Sequence, residues 1–130
     1  MAIYGIGYNY NGNQDKSSEF ISYNCVCVGW EKDEAPAVFK MLNQVRIGDY
    51  IYLKTRNIQN KTLIIKGISI VTEEGIKKFS FGNGLSVKWI WQGSETFSLT
   101  DNAQFNVYNN TFYEEFHPEI QKLIVNKSFP

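Results

Sequence analysis

The sequence predicts an α+β fold, with a curved antiparallel sheet or small open β-barrel and flanking helices. Two observations indicate this class. Five or six segments carry the apolar pattern of β-strands, and two or three others carry the spacing of amphipathic helices. No regular alternation of strand and helix indicates a doubly wound parallel sheet. The length of 130 residues suits one domain over residues 1–130.

The first half of the chain combines strands and helices. Residues 2–8 and 25–30 are predicted strands, because small and apolar residues alternate along them. A short helix is expected over 15–23. A second is expected over 34–44, where apolar residues recur at helical spacing after Asp33, a residue typical of a helix cap.

A β pattern dominates from residue 47 onward. Strands are predicted over 50–54, 62–72 and 85–91, with Gly67 bending the longest of them. The segment 73–84 between the last two strands is expected to be a loop.

The last third of the chain is predicted to hold one more strand, over 97–107, and a helix over 111–126. Pro118 follows His117, and proline is favoured in the first turn of a helix. The helix prediction depends on apolar residues at every fourth position, which are Phe112, Phe116, Ile120 and Ile124.

The charge balance limits the classes of partner. Thirteen basic and thirteen acidic residues give a net charge of zero. Such a chain has no long-range positive field to attract a polyanion, so non-specific binding of many phosphates is not expected. Of the basic residues only Arg46 and Arg56 are arginines, which makes bidentate recognition of phosphate or guanine scarce.

The sequence offers little for catalysis, cofactors or metals. His117 is the sole histidine, no Gly-x-Ser-x-Gly nucleophile motif is present, and the glycines of Gly5-Ile6-Gly7 lack the third glycine of a dinucleotide loop. Cys25 and Cys27 point the same way on one strand and are expected to be reduced, buried thiols rather than metal ligands. We therefore expect no enzyme activity, no cofactor and no metal.

The expected location is the cytoplasm. No stretch approaches the ~20 apolar residues of a membrane span. The first seven residues carry no basic segment, so no signal peptide is expected.

Aromatic residues are the outlying part of the composition, at 15% of the chain. Several stand where a predicted strand gives way to a loop, and rings on separate loops can converge into an aromatic cage for a flat or cationic group. Asn9, Asn24 or a backbone amide could then recognise the polar edge of that group. The alternative interpretation is that these rings fill the core. The candidate rings are Tyr8, Tyr10, Trp30, Phe79 and Phe81.

Four fragments follow one another along the chain: Val28-Gly29-Trp30 before a helix, the turn and strand of 47–54, the strand of 65–71, and Val87-Lys88-Trp89-Ile90. In this order and spacing they resemble the PUA-like superfamily, specifically its EVE domains, its YTH domains and the PUA-like modules attached to restriction endonucleases. The resemblance covers residues 3–92. It implies a compact β-barrel-like core with flanking helices.

The resemblance also implies a function. Members of these branches often bind a modified base, flipped out of a duplex or taken from a single strand, in an aromatic cage. Trp30 matches the first cage position. Phe79 or Phe81 would fill the second, where the family usually has Trp, and the loop Tyr8-Asn9-Tyr10 would line the pocket. Weak phosphate contacts are expected from three cations: Lys32, Arg56 and Lys78.

The leading hypothesis is therefore a non-enzymatic module that binds a modified nucleobase, methylated or hydroxymethylated, in DNA or RNA, with a role in defence against foreign DNA. One alternative is a binder of a free nucleotide or other small planar ligand in the same pocket. Another is a protein-interaction domain. An enzyme acting on RNA with this fold is the last alternative.

Overall fold

A curved sheet of seven strands forms the centre of the protein. The computed structural model describes residues 1–10, 13–57, 62–98 and 111–129. Within these ranges it contains nine strands and three helices, so the mixed α+β class is confirmed. Most of the strand predicted over 97–107 lies outside the described residues.

The elements have the following bounds. The strands are β1 (Ile3–Gly7), β2 (Asn9–Tyr10), β3 (Gln14–Asp15), β4 (Cys25–Val28), β5 (Tyr50–Asn57), β6 (Thr62–Val71), β7 (Lys77–Phe79), β8 (Gly82–Ser98) and β9 (Phe112–Glu114). The helices are α1 (Ser17–Ser22), α2 (Pro36–Gln44) and α3 (Pro118–Ser128).

The main sheet has the strand order β4-β8-β6-β5-β1-β9, and β7 also pairs with β8. Strands β2 and β3 form a separate two-stranded ribbon. All pairs are antiparallel except β1 with β5, which is parallel. The prediction of an antiparallel sheet is wrong for this pair. The chain between the two strands contains α1, β4 and α2, a crossover long enough to bring β5 back in the same direction.

Irregular pairing curls the sheet into a half-barrel. The β6–β8 register shifts between Ile65 and Gly67, and the neighbouring β5–β6 register shifts between Leu53 and Lys54. The predicted bend at Gly67 is thus confirmed. The ring of Trp89 lies against this glycine, 2.9 Å from where a Cβ would stand.

The two faces of the sheet bury different cores. On one face, β4 and side chains from α1 and α2 pack on Tyr4 and Ile6 of β1 and on Leu53 of β5. On the other face, Ile120 and Ile124 of α3 pack on β5 and β6. This arrangement leaves the ends of β1 and β4 beside each other.

The prediction of a helix over 111–126 is wrong in its first half. Phe112 lies in β9, which pairs with β1, and the helix begins only at Pro118. The residue before a proline disfavours helical backbone, so the helix cannot extend back through His117. Ile120 and Ile124 are buried as expected, whereas Phe116 is 69% exposed.

The prediction of a loop over 73–84 is also wrong in part. Strand β7 pairs with the start of β8 in a tight hairpin, with Phe79 opposite Gly82. Strand β8 therefore begins at Gly82 rather than at residue 85 and continues to Ser98. Hydrogen bonding across the hairpin overrides the polar, glycine-rich composition that indicated a loop.

The start of helix α2 also differs from expectation. Asp33 does not cap α2, which begins after Ala35 with no side-chain cap. The Asp15 carboxylate accepts a hydrogen bond from the Ser17 backbone N–H, at 2.8 Å, at the start of α1.

Candidate functional site

An aromatic cleft lies beside the C-terminal ends of β1 and β4 and the beginning of β9. Its volume is about 140 Å³. The Gly7 backbone N–H donates to the Thr111 carbonyl oxygen at 2.8 Å, which joins two of its walls. The residues that line this aromatic cleft are Gly7, Asn9, Tyr10, Gly29, Trp30 and Thr111.

Trp30 lies where the chain leaves the core. Strand β4 is buried along its whole length, and Gly29 and Trp30 follow it into solvent. The Trp30 side chain is 40% exposed. Its backbone carbonyl accepts a hydrogen bond from the Asn83 amide at 3.2 Å. The indole is therefore available to a ligand while its backbone is tied to β8.

Tyr10 forms a second aromatic wall, held from behind. Its hydroxyl donates to the Phe81 carbonyl oxygen at 2.9 Å, and its ring meets Phe20 edge-on at 6.4 Å between centroids. Burial raises the pKa of Tyr10, so the phenol stays protonated and keeps this hydrogen bond. A Cβ on Gly29 would stand 3.4 Å from the Tyr10 ring, so glycine there leaves the ring uncovered.

Two polar groups complete the lining of the aromatic cleft. Asn9 is exposed, and its amide nitrogen lies 3.4 Å from the Thr55 hydroxyl. An amide offers both a donor and an acceptor, which suits the edge of a base. Thr111, the residue before β9, adds a hydroxyl-bearing side chain.

Tyr8 lies outside the aromatic cleft, in the core. It is 4% exposed and shares the buried face of β1 with Tyr4 and Ile6. The Lys66 ammonium lies 4.8 Å from its ring centroid. The two-residue alternation of the strand continues through Tyr8, and this signal in the sequence favours the core interpretation.

Phe79 and Phe81 also lie outside the aromatic cleft, behind its Tyr10 wall. The two rings stack at 6.3 Å between centroids, and Phe81 lies 5.7 Å from the Phe20 ring. Both are half-buried against the core. The β7–β8 hairpin places them there, so they support Tyr10 instead of meeting a ligand themselves.

The three predicted phosphate contacts have different surroundings. Lys32 is exposed in the loop after Trp30. Lys78 forms an ion pair with Glu31, at 3.3 Å. Arg56 is half-buried on β5, where its charge lowers the pKa of Lys54.

Sequence reasoning missed a buried polar cluster formed by Tyr52, Lys54, Tyr113 and Glu115. The Tyr52 hydroxyl donates to the Glu115 carboxylate at 2.6 Å and lies 2.8 Å from the Tyr113 hydroxyl. The Lys54 ammonium lies 5.0 Å from the Tyr113 ring centroid. Gly5 of β1 lies beneath the two phenols, and a Cβ there would stand 2.8 Å from Tyr113.

Burial controls the protonation of the polar cluster. It raises the pKa of the Glu115 carboxyl and lowers the pKa of the Lys54 amine to about 8. It also raises the pKa of Tyr52 and Tyr113. Acid–base catalysis uses such groups, but each of these side chains is at most 7% exposed. The polar cluster therefore ties β9 to β5 across β1.

The two cysteines lie in the core, on β4. Cys25 and Cys27 are free and fully buried, with 3.9 Å between their sulfur atoms. Within the described ranges, no group of three or more His, Cys, Asp or Glu side chains could hold a metal ion. In the same part of the chain, no helix is both long and apolar enough to cross a membrane.

Comparison with known proteins adds no relative: the chain matches no protein-family model, and no curated protein matches it significantly. The fold and the aromatic cleft therefore define the molecule as an α+β protein with a small, solvent-open cleft lined in part by two aromatic rings. The resemblance to PUA-like domains stays a prediction.

Proposed function

We propose that the protein is a non-enzymatic module that binds one modified nucleobase of DNA or RNA in the aromatic cleft. A single observation carries the proposal: Trp30, which follows β4, lines the same cleft as Asn9 and Tyr10 of β2. Two of them offer flat rings and the third offers an amide. This combination recognises the face and the edge of a base.

The size of the aromatic cleft supports a ligand of one ring system. A protein cavity of roughly 150 Å³ holds a benzene molecule. The cleft volume of about 140 Å³ is similar, and the cleft is also open to solvent, so the rest of a nucleotide can extend outward. A base inside a duplex cannot reach such a site, so it must be flipped out or come from a single strand.

The residues that line the aromatic cleft favour contact with the base of a nucleotide over contact with its phosphate. Among the described residues, the side chains that line the aromatic cleft are amide, phenol, indole and hydroxyl groups, and none of these carries a charge. Lys78, one of the three predicted phosphate contacts, is neutralised by Glu31. This observation favours a base presented by a polymer over a free nucleotide bound through its phosphates.

The test replaces Trp30 by alanine and measures binding of labelled single-stranded oligonucleotides by fluorescence anisotropy. The probes carry 5-methylcytosine, 5-hydroxymethylcytosine, 6-methyladenine or no modification. Loss of one stacked ring costs about 1–3 kcal/mol, so Trp30→Ala should weaken binding of the preferred probe by about 5- to 150-fold. Trp30→Phe should recover part of the loss.

Phe116→Ala is the matched control, because Phe116 is an exposed ring outside the aromatic cleft. It should leave the affinity unchanged. The proposal is wrong if Trp30→Ala retains the wild-type preference for the modified base, or if both alanine variants lose affinity equally.

A further inference from the structure

The loop that follows Trp30 is acidic. Glu31, Asp33 and Glu34 provide three carboxylates against the single ammonium of Lys32, and all four residues are exposed. Because this loop begins directly at the aromatic cleft, the cleft has excess negative charge on that side.

Hydrogen bonds place one of these carboxylates beside Trp30. The Asn83 amide nitrogen donates to the Trp30 carbonyl oxygen at 3.2 Å and to the Glu31 carboxylate at 3.3 Å. The Glu31 backbone N–H in turn donates to the Glu34 carboxylate at 2.9 Å. The Glu31 side chain is thus held beside the backbone of Trp30.

Two lysines near the aromatic cleft, Lys78 and Lys16, are paired with acids. Lys78 pairs with Glu31 at 3.3 Å. Lys16 lies 5.9 Å from the Tyr10 ring centroid and pairs with Glu19, also at 3.3 Å. These pairs contribute no net positive charge, so they do not oppose the binding of a cation.

From this arrangement we infer that the aromatic cleft selects a base that is positively charged, such as 1-methyladenine, 3-methylcytosine or 7-methylguanine. The inference rests on the proposed function and specifies its ligand class. A ring cation is attracted to the face of Trp and Tyr rings by their quadrupoles, and Trp is the strongest partner. The net negative charge of the acidic loop, to which Glu31 contributes, adds a Coulombic attraction that a neutral methylated base does not receive.

The experiment compares two isomeric nucleosides, 1-methyladenosine and N6-methyladenosine, by isothermal titration calorimetry at low salt. Both carry one methyl group on adenine, but only the first is a cation at neutral pH. A cation–π contribution of about 0.5–2 kcal/mol predicts a preference of about 2- to 30-fold for 1-methyladenosine. Added salt should reduce this preference, because the loop is solvent-exposed.

Two variants test the role of the carboxylate. Glu31→Gln should reduce the preference for 1-methyladenosine while leaving N6-methyladenosine binding unchanged. Glu74→Gln removes the same charge from an exposed residue that pairs with Arg46, and it should leave the preference at its wild-type value. An unchanged preference in Glu31→Gln would overturn the assignment to Glu31.

The outcomes separate this inference from the proposed function. If wild-type protein binds the two nucleosides with equal affinity and Trp30→Ala binds neither, the selection of a cation is overturned. The proposed base-binding function is then retained. The proposed function itself is overturned if wild-type protein binds neither nucleoside and none of the modified oligonucleotides.

Discussion

At the scale of single residues, the position of a side chain relative to a strand end decides whether it faces the core or the aromatic cleft. Tyr8 and Tyr10 are two residues apart, yet the first is 4% exposed and the second lines the aromatic cleft. Tyr8 continues the buried face of β1, whereas Tyr10 belongs to the ribbon of β2 and β3. Adjacent aromatic residues in a sequence therefore differ in function when the backbone changes direction between them.

Glu115 provides a prediction at this scale. Burial raises the pKa of its carboxyl above the unfolded value, so the folded state retains the proton to a higher pH than the unfolded state. Its contribution to the free energy of unfolding is full below the unfolded pKa of about 4.5 and is lost as pH rises through the folded value. Glu115→Gln removes the charge and keeps one acceptor oxygen, which can replace one of the two oxygens that accept from the Tyr52 hydroxyl and the His117 backbone N–H.

We expect the difference in free energy of unfolding, Glu115→Gln minus wild type, to increase from about pH 4 to about pH 7. Urea unfolding at both pH values measures it. Glu114→Gln, the neighbouring substitution, is the control and should show no such rise. A pH-independent difference between Glu115→Gln and wild type would contradict the expected titration.

At the scale of elements, Gly5 of β1 allows side chains of the two flanking strands, β5 and β9, to interact above it. Tyr52 of β5 and Tyr113 of β9 both pair with Gly5, and their hydroxyls meet over that residue at 2.8 Å. Any larger side chain would occupy the space where the phenols meet. The polar cluster therefore depends on Gly5, although β1 contributes none of the polar groups of the cluster.

Gly5→Ala should destabilise the protein by about 1–3 kcal/mol, because the added methyl overpacks the site. Its Cβ would lie 2.8 Å from the Tyr113 ring and 2.9 Å from the Tyr52 ring. Gly7→Ala is the matched control on the same face of the same strand, where the nearest atom is 3.9 Å away. Chemical denaturation of both variants tests this, and equal losses of stability would argue against it.

Elements that depend on local pattern were predicted correctly, and those that depend on distant partners were not. Strands β4 and β6 and the bend at Gly67 follow from alternation and from the lack of a side chain. Strand β9 carries Phe112 at a spacing that also fits a helix, and only its pairing with β1 makes it a strand. Apolar periodicity over a few residues does not distinguish these two cases.

At the scale of the whole molecule, the zero net charge limits how the protein holds a polymer. Each phosphate neutralised on a single strand contributes a slope of about −0.7 to log K against log salt. With Lys32 and Lys78 as the predicted phosphate contacts beside the aromatic cleft, we expect a slope no steeper than about −1.4.

Affinity for the preferred single-stranded oligonucleotide, measured over a series of salt concentrations, tests this expectation. Lys32→Gln should make the slope shallower by about 0.7 and leave the preference for the modified base intact. Lys122→Gln changes an exposed lysine of α3 and should have no effect. A slope steeper than about −3 would indicate a broad phosphate-binding surface instead of a base-binding cleft.

The sequence by itself determined the α+β class, most strands and the exposure of Trp30 at the end of β4, because these properties depend on residues close together in the chain. Only the tertiary structure decided that β1 pairs with β5 in parallel, that Tyr10 and not Tyr8 faces the cleft, and that Glu115 joins a buried cluster with Tyr52. The physical reason is that these arrangements depend on contacts between segments tens of residues apart, and no local pattern records them.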